Sequence, residues 1–113
     1  SLHDQDTAIT LAIALIHADL ARPWTVATLA RQVGRSKSRF HDQFVRHTGR
    51  APIDYVTNAR LEHAAELLQA GQASVQEIAE VVGYQTASGF SVAFRRWSGK
   101  TPSAVRTKAP ARR

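Results

Sequence analysis

Apolar residues recur every three or four positions along most of this chain, the period of helices with one buried face. Ile9, Ala12, Ile13, Ile16 and Leu20 form one such stripe, and Leu11 and Leu15 a second beside it. A first helix is therefore expected from Asp6, placed to cap it, to Leu20, with residues 1–5 polar and frayed. Val26, Leu29, Ala30 and Val33 predict a short second helix, and Phe40, Gln43, Phe44 and His47 share the inward face of a third. Ile53, Val56, Thr57, Arg60, Leu61, Ala64, Leu67 and Leu68 run along a long helix over 51–70. Val75, Ile78, Ala79 and Val82 then mark a short helix, and Phe90, Ala93, Phe94 and Trp97 the inward face of another. Thr101 and Pro102 open a last turn through Arg106. The expected fold is all-α, with about seven helices.

The stripes are not independent. A shift that lays Thr25 on Ser74 also lays Val26, Leu29, Ala30, Val33 and Gly34 on Val75, Ile78, Ala79, Val82 and Gly83. One residue more, and Ser38, Phe40, Phe44, Arg46, Gly49 and Pro52 fall on Ser88, Phe90, Phe94, Arg96, Gly99 and Pro102. The chain thus writes one supersecondary unit twice, with one residue gained in the second turn.

Local signals give the unit its shape. Thr25 caps the first short helix, and Trp24 before it can staple onto Leu29. Gly34 supplies the left-handed residue that ends that helix, and Ser36 caps the next. Ser74 and Glu77 form a capping box at the same place in the second copy, Gly83 is its stop, and Thr86 caps the helix from Ala87 to Trp97. The outer faces carry Ser38, Arg39, Asp42, Val45 and Arg46 in one copy and Ser88, Gly89, Ser91, Val92, Arg95 and Arg96 in the other. A short helix, a glycine turn and a second helix with a basic outer face is the helix-turn-helix plan, whose second helix enters the DNA major groove. An ordinary helical hairpin is the plainer alternative for one copy; two copies with matching basic positions argue against it.

The expected organisation is one region over 1–113, with a first helix-turn-helix subdomain over 6–49, a linker helix over 51–70, a second subdomain over 74–106 and a basic, disordered tail over 107–113. The linker makes a rod of about 28 Å, close to the roughly 34 Å of one DNA turn. On that arithmetic the recognition helices, about 37–48 and 87–97, reach adjacent major grooves. The second stripe of the first helix either packs on a part of the protein outside this chain or is partly exposed.

Charge and composition narrow the function. Among 113 residues, 15 are Lys or Arg and 9 are Asp or Glu, a net charge of +6 that favours an anionic partner. There is no cysteine, hence no disulfide, thiolate metal site or cysteine nucleophile, in keeping with a reducing compartment such as the cytoplasm. No apolar run reaches membrane-spanning length and nothing resembles a secretory signal, so no membrane partner is expected. The chain opens Ser-Leu rather than with methionine, as expected of a fragment or a processed chain.

With these residues, two helix-turn-helix units joined by a long helix resemble the DNA-binding domain of the AraC/XylS family of bacterial transcription regulators. The resemblance runs from Ile9 to Arg106 and is most specific over 74–102, SVQEIAEVVGYQTASGFSVAFRRWSGKTP. Pro23 to Val26, Ser36 to Phe40, Thr48-Gly49 and Arg60-Leu61 with Ala64, Leu67 and Leu68 also match. It implies sequence-specific binding to double-stranded promoter DNA, contact with RNA polymerase, and an upstream sensor or dimerisation domain. Carried over by position, Ser38, Arg39, His41 and Asp42 read bases in the first copy, and Ala87, Ser88, Gly89, Ser91 and Val92 in the second. Ser36, Lys37, Arg46, Thr86, Arg95, Arg96 and Lys100 lie at phosphates. The second helix departs from the pattern, having no long hydrogen-bonding side chain for bases, and Val105 stands where the family often has tyrosine.

Two other classes are open to such a chain. A non-specific basic helical module would bind nucleic acid by charge alone and show no preferred site. An enzyme would need a reactive constellation. Ser36, His41 and Asp42 are the nearest to one, but Ser36 is a helix cap and His41 and Asp42 leave the helix about 100° apart. His17 reads as a surface or satisfied histidine, and no cofactor or metal is implied.

Overall fold

The structure, a computed structural model, describes residues 2–106, with side chains from Thr7 onward; the basic tail expected over 107–113 lies outside them. Among the described residues there are seven helices and no strand: α1 (Leu2–Ala18), α2 (Val26–Gln32), α3 (Lys37–Thr48), α4 (Pro52–Ala70), α5 (Val75–Val81), α6 (Ala87–Ser98) and α7 (Pro102–Val105). The chain divides into two compact units, one ending at Thr57 and the other starting at Asn58, so the division falls inside α4.

The first unit is built by α1, α2, α3 and the opening turns of α4. Its core holds Ile9, Ala12, Ile16, Trp24, Leu29, Ala30, Phe40, Phe44 and Val56. Trp24 fills its interior, 6% exposed, with its indole N–H donating to the Asp19 carbonyl at 2.9 Å. The second unit packs Leu61, Ala64 and Leu68 of α4 against Ile78, Ala79, Val82, Phe90 and Phe94. Arg106, at the end of α7, donates to the carbonyl of Ala73. Burial lowers the pKa of the Arg60 guanidinium and raises that of the Tyr84 phenol, each opposed by the electrostatic interaction between the two groups.

The duplication extends to single hydrogen bonds. Thr25 and Ser74 each open a capping box, Thr25 with Thr28 and Ser74 with Glu77. Gly34 and Gly83 take positive φ after α2 and α5, and Gly49 and Gly99 do so after α3 and α6. The Thr48 hydroxyl donates to the Phe44 carbonyl at 2.8 Å, and the Ser98 hydroxyl to that of Phe94 at 2.9 Å. The rings of Phe40 and Phe44 lie 5.5 Å apart and those of Phe90 and Phe94 5.7 Å, both tilted.

Several expectations are corrected. Helix α1 starts at Leu2, not after a cap at Asp6, because residues 2–5 hold no breaker; it stops at Ala18, short of Leu20. Leu11 is 44% exposed, while Leu15 packs on the first core. Ile53, expected inside, is 37% exposed, and Tyr55 and Ala59 are the residues of α4 that pack inward instead. His47 and Trp97, at the C-terminal ends of their inward stripes, are exposed, since each core closes over the phenylalanine one turn earlier. Gln43 is buried as expected, although its Oε1 has no partner; the matching residue in the second copy is Ala93.

Candidate nucleic-acid interface

Each copy presents the outer face of its longer helix. In α3 the cap is Ser36, whose Oγ accepts the Arg39 N–H at 3.3 Å; in α6 it is Thr86, whose Oγ1 accepts the Gly89 N–H at 3.0 Å. Capping of this kind satisfies one of the free N–H groups in the first turn of each helix and fixes where the helix begins. Each hydroxyl keeps its own proton, free to donate to a phosphate oxygen. The buried phenylalanines fix the rotation of each helix about its axis. Two phenylalanines four residues apart leave the opposite face in solvent.

Ser36, Lys37, Ser38, Arg39, His41, Asp42 and Arg46 are all exposed on α3 or at its cap. An open groove of about 650 Å³ runs between Thr25, Val26 and Ala27 at the start of α2 and Lys37, Ser38, His41 and Asp42. On the second unit Thr86, Ser88, Gly89, Val92, Arg95, Arg96 and Lys100 are exposed, while Ala87 and Ser91 are half-buried. Among the described residues Lys37, Arg39, Arg46, Arg95, Arg96 and Lys100 enter no ion pair. Cations held in solvent with no carboxylate partner are ready for phosphate oxygens.

Two neighbours on α3 stand closer than the helical step implies. His41 Nδ1 lies 3.6 Å from Asp42 Oδ1, because side-chain rotation brings the ring and the carboxylate together. Asp42 makes no ion pair with Arg46 among the described residues, although one turn of helix separates them. Its side chain is 74% exposed. The Ser36 oxygen serves as the cap of α3, accepting the Arg39 N–H. No group of three or more metal-ligating side chains occurs among the described residues, and no helix there is long and apolar enough to cross a membrane.

Asn58 and Tyr55 make contacts that the sequence pattern does not announce. Asn58 Oδ1 accepts the Trp97 indole N–H at 2.9 Å and so holds the end of α6. Tyr55 packs edge-on against Phe44, ring centroids 5.4 Å apart, and its hydroxyl lies 3.0 Å from His17 Nε2. An amide and an aromatic at helical spacing gave no signal of either partner.

Comparison with known proteins places these features. A family model described as a helix-turn-helix domain matches residues 29–108. The HTH-type transcriptional regulator AlkR of Acinetobacter baylyi is 38% identical over 98 residues, which cover 87% of this chain and 32% of that protein. The chain spans about a third of the length of the curated relatives it matches. Among solved structures, a transcriptional regulator from Chromobacterium violaceum of the AraC-type DNA-binding-domain class has a TM-score of 0.81 at 28% identity, covering 89% of this chain and 90% of that one. The DNA-binding domain of AdpA, a global transcriptional factor solved with a target DNA, has a TM-score of 0.80 at 29% identity, covering 85% and 86%.

Proposed function

Since the chain belongs to the AraC-type helix-turn-helix family, we propose that it binds promoter DNA sequence-specifically as the DNA-binding part of a bacterial transcription regulator. The carrying observation is the matched pair α3 and α6. Each has a hydroxyl cap, a glycine stop, a buried phenylalanine pair and an outer face with unpaired cations. The AdpA domain bound to its target DNA supports the same reading.

In this proposal each of the two helices enters a major groove. Ser38, Arg39, His41 and Asp42 of α3 face base edges, as do Ala87, Ser88, Gly89, Ser91 and Val92 of α6. The caps Ser36 and Thr86, with Lys37, Arg46, Arg95, Arg96 and Lys100, meet phosphates and set the register. The half-burial of Ala87 and Ser91 gives them the smallest share. The protein partners are RNA polymerase and an upstream sensor or dimerisation domain, the latter in keeping with the length of the relatives. The setting is the cytoplasm, and no catalytic step is assigned to the chain.

Selection of bound duplexes from random-sequence DNA tests the proposal. The expected result is one enriched site, bound about 10³-fold or more tightly than bulk DNA. Binding without enrichment would instead mark a non-specific basic module.

A further inference from the structure

The two outer faces differ where they should be most alike. In the repeat register Arg39 corresponds to Gly89 and Asp42 to Val92. Residues three apart on a helix are surface neighbours, so a donor side chain and an acceptor side chain in the first copy give way to a gap and two methyl groups in the second. Val92 is 61% exposed, the most exposed large hydrophobic residue among those described. Gly89 is exposed as well and takes ordinary helical geometry, without the positive φ that would require glycine.

Neither residue helps the fold. Glycine inside a helix costs about 1 kcal/mol relative to alanine, and valine is also among the weaker helix formers. The core of the second unit uses Phe90 and Phe94 of α6 and neither of these two. A Cβ on residue 89 would meet the Thr86 hydroxyl at 3.1 Å, a tight approach. The first copy carries arginine there, with its cap bond at 3.3 Å, so the scaffold tolerates a side chain at this position. Two locally unfavourable residues side by side on the recognition face, with Arg95 and Arg96 beyond them, therefore need an explanation outside the folded core.

We infer that Val92 is the specificity determinant of the second recognition helix, and that it reads the 5-methyl group of a thymine through the space left open by Gly89. The inference rests on the DNA-binding reading above. In the major groove the thymine methyl is the one apolar group a base pair presents. Valine offers two methyls on a stiff side chain with few rotamers to lose. The missing side chain at residue 89 lets the base edge approach without displacing a long neighbour, and Ser88, one turn before Val92, is short as well.

The test uses the duplex recovered by selection from random DNA, with each thymine replaced in turn by deoxyuridine. That exchange removes one methyl and keeps every hydrogen-bonding group. At one or more thymines the parent chain should bind about fourfold more weakly, the worth of one buried methyl. Val92→Ala should bind the thymine and uracil forms of that position equally, and Val92→Thr, with one methyl left, should fall between. Melting of Val92→Ala at or slightly above that of the parent, expected where an exposed valine gives way to a better helix former, separates the effect from folding. A selection that returns no preferred sequence would defeat the underlying reading of sequence-specific binding. A preferred site at which no thymine's methyl effect depends on residue 92 would overturn the Val92 assignment alone.

Discussion

The indole N–H of Trp97 donates to Oδ1 of Asn58 at 2.9 Å, tying the last turn of the second recognition helix to α4. The amide of Asn58 is itself oriented, its Nδ2 donating to Glu62 Oε1 at 3.0 Å, and the Trp97 ring leans on Phe94 with centroids 5.6 Å apart. Asn58→Ala should cost about 1 kcal/mol, the net worth of one hydrogen bond. Trp97→Phe should cost at least as much through lost contact area. Because both changes remove the same bond, the double variant should be less destabilised than the sum by about 0.5 kcal/mol or more. Urea unfolding of the four proteins measures the coupling, and strict additivity would show that the bond carries no stability.

The phenylalanine pairs should dominate stability. Phe44 and Phe94 are 0% and 1% exposed, and each packs on a second phenylalanine one turn away. Phe44→Ala or Phe94→Ala should cost about 3–5 kcal/mol, a large part of a small domain's stability. DNA binding would be lost with the fold. Thermal melting decides the matter: a variant that melts like the parent would contradict the packing of α3 or α6.

The capping box of α5 brings a pH dependence. Glu77 accepts the Ser74 N–H at 2.8 Å, and the hydrogen bonds from the Ser74 backbone and side chain lower its pKa below the ordinary 4.5. A carboxyl with a depressed folded value stabilises the protein fully above its unfolded value, and that stability is lost as pH falls through the folded one. The parent should therefore melt above Glu77→Gln at neutral pH. The gap should narrow once pH drops below about 4.5 and close at lower pH. A gap independent of pH would mean that the charge of Glu77 contributes nothing.

Much of this fold was legible because its signals are local. Gly34, Gly49, Gly83 and Gly99 mark left-handed residues wherever they stand, and Thr25, Ser36, Ser74 and Thr86 cap helices from their own side chains. The repeat also fixed which face of α3 and α6 turns inward, through phenylalanines four residues apart. Properties that depend on a distant neighbour were not legible. The exposure of Ile53, the inward packing of Tyr55 and the bond from Trp97 to Asn58 follow from where each core closes, which periodicity does not specify. At the interface the register of outward residues could be read from sequence. The approach of His41 to Asp42 could not, because it depends on side-chain rotation rather than on spacing.

Charge should set the salt dependence of binding. Lys37, Arg46, Arg95, Arg96 and Lys100 are exposed and enter no ion pair among the described residues. Neutralising about five phosphates gives a log–log salt slope of about −4.5. Arg96→Ala should weaken binding to every sequence alike and flatten that slope by about one. A slope shallower than about −2 for the parent chain would exclude these residues as the phosphate contacts.

The first recognition helix should contribute hydrogen-bonded specificity, with Asp42 as its most selective residue. Arg39 can reach guanine O6 and N7, whereas a carboxylate only accepts, and its natural donor in the groove is cytosine N4. A pair with Arg46 would have given Asp42 a purely helical role worth about 0.3–0.5 kcal/mol. The structure has no such pair; the carboxylate lies near His41 and is 74% exposed. On a face set against DNA, a negative charge would weaken binding wherever no donor rewards it, and so would penalise wrong sites more than the right one. Asp42→Ala should therefore relax discrimination at one base pair by about 1–3 kcal/mol, and raise affinity for unrelated DNA. Arg39→Ala should relax a different, guanine-containing position and lower affinity for unrelated DNA, since it removes a cation. A base-by-base substitution scan of the selected duplex, run with the parent and both variants, measures each effect. If Asp42→Ala leaves the pattern of base preferences and the affinity for unrelated DNA unchanged, Asp42 is an ordinary exposed residue of the helix and the division of labour between the two copies loses its first half.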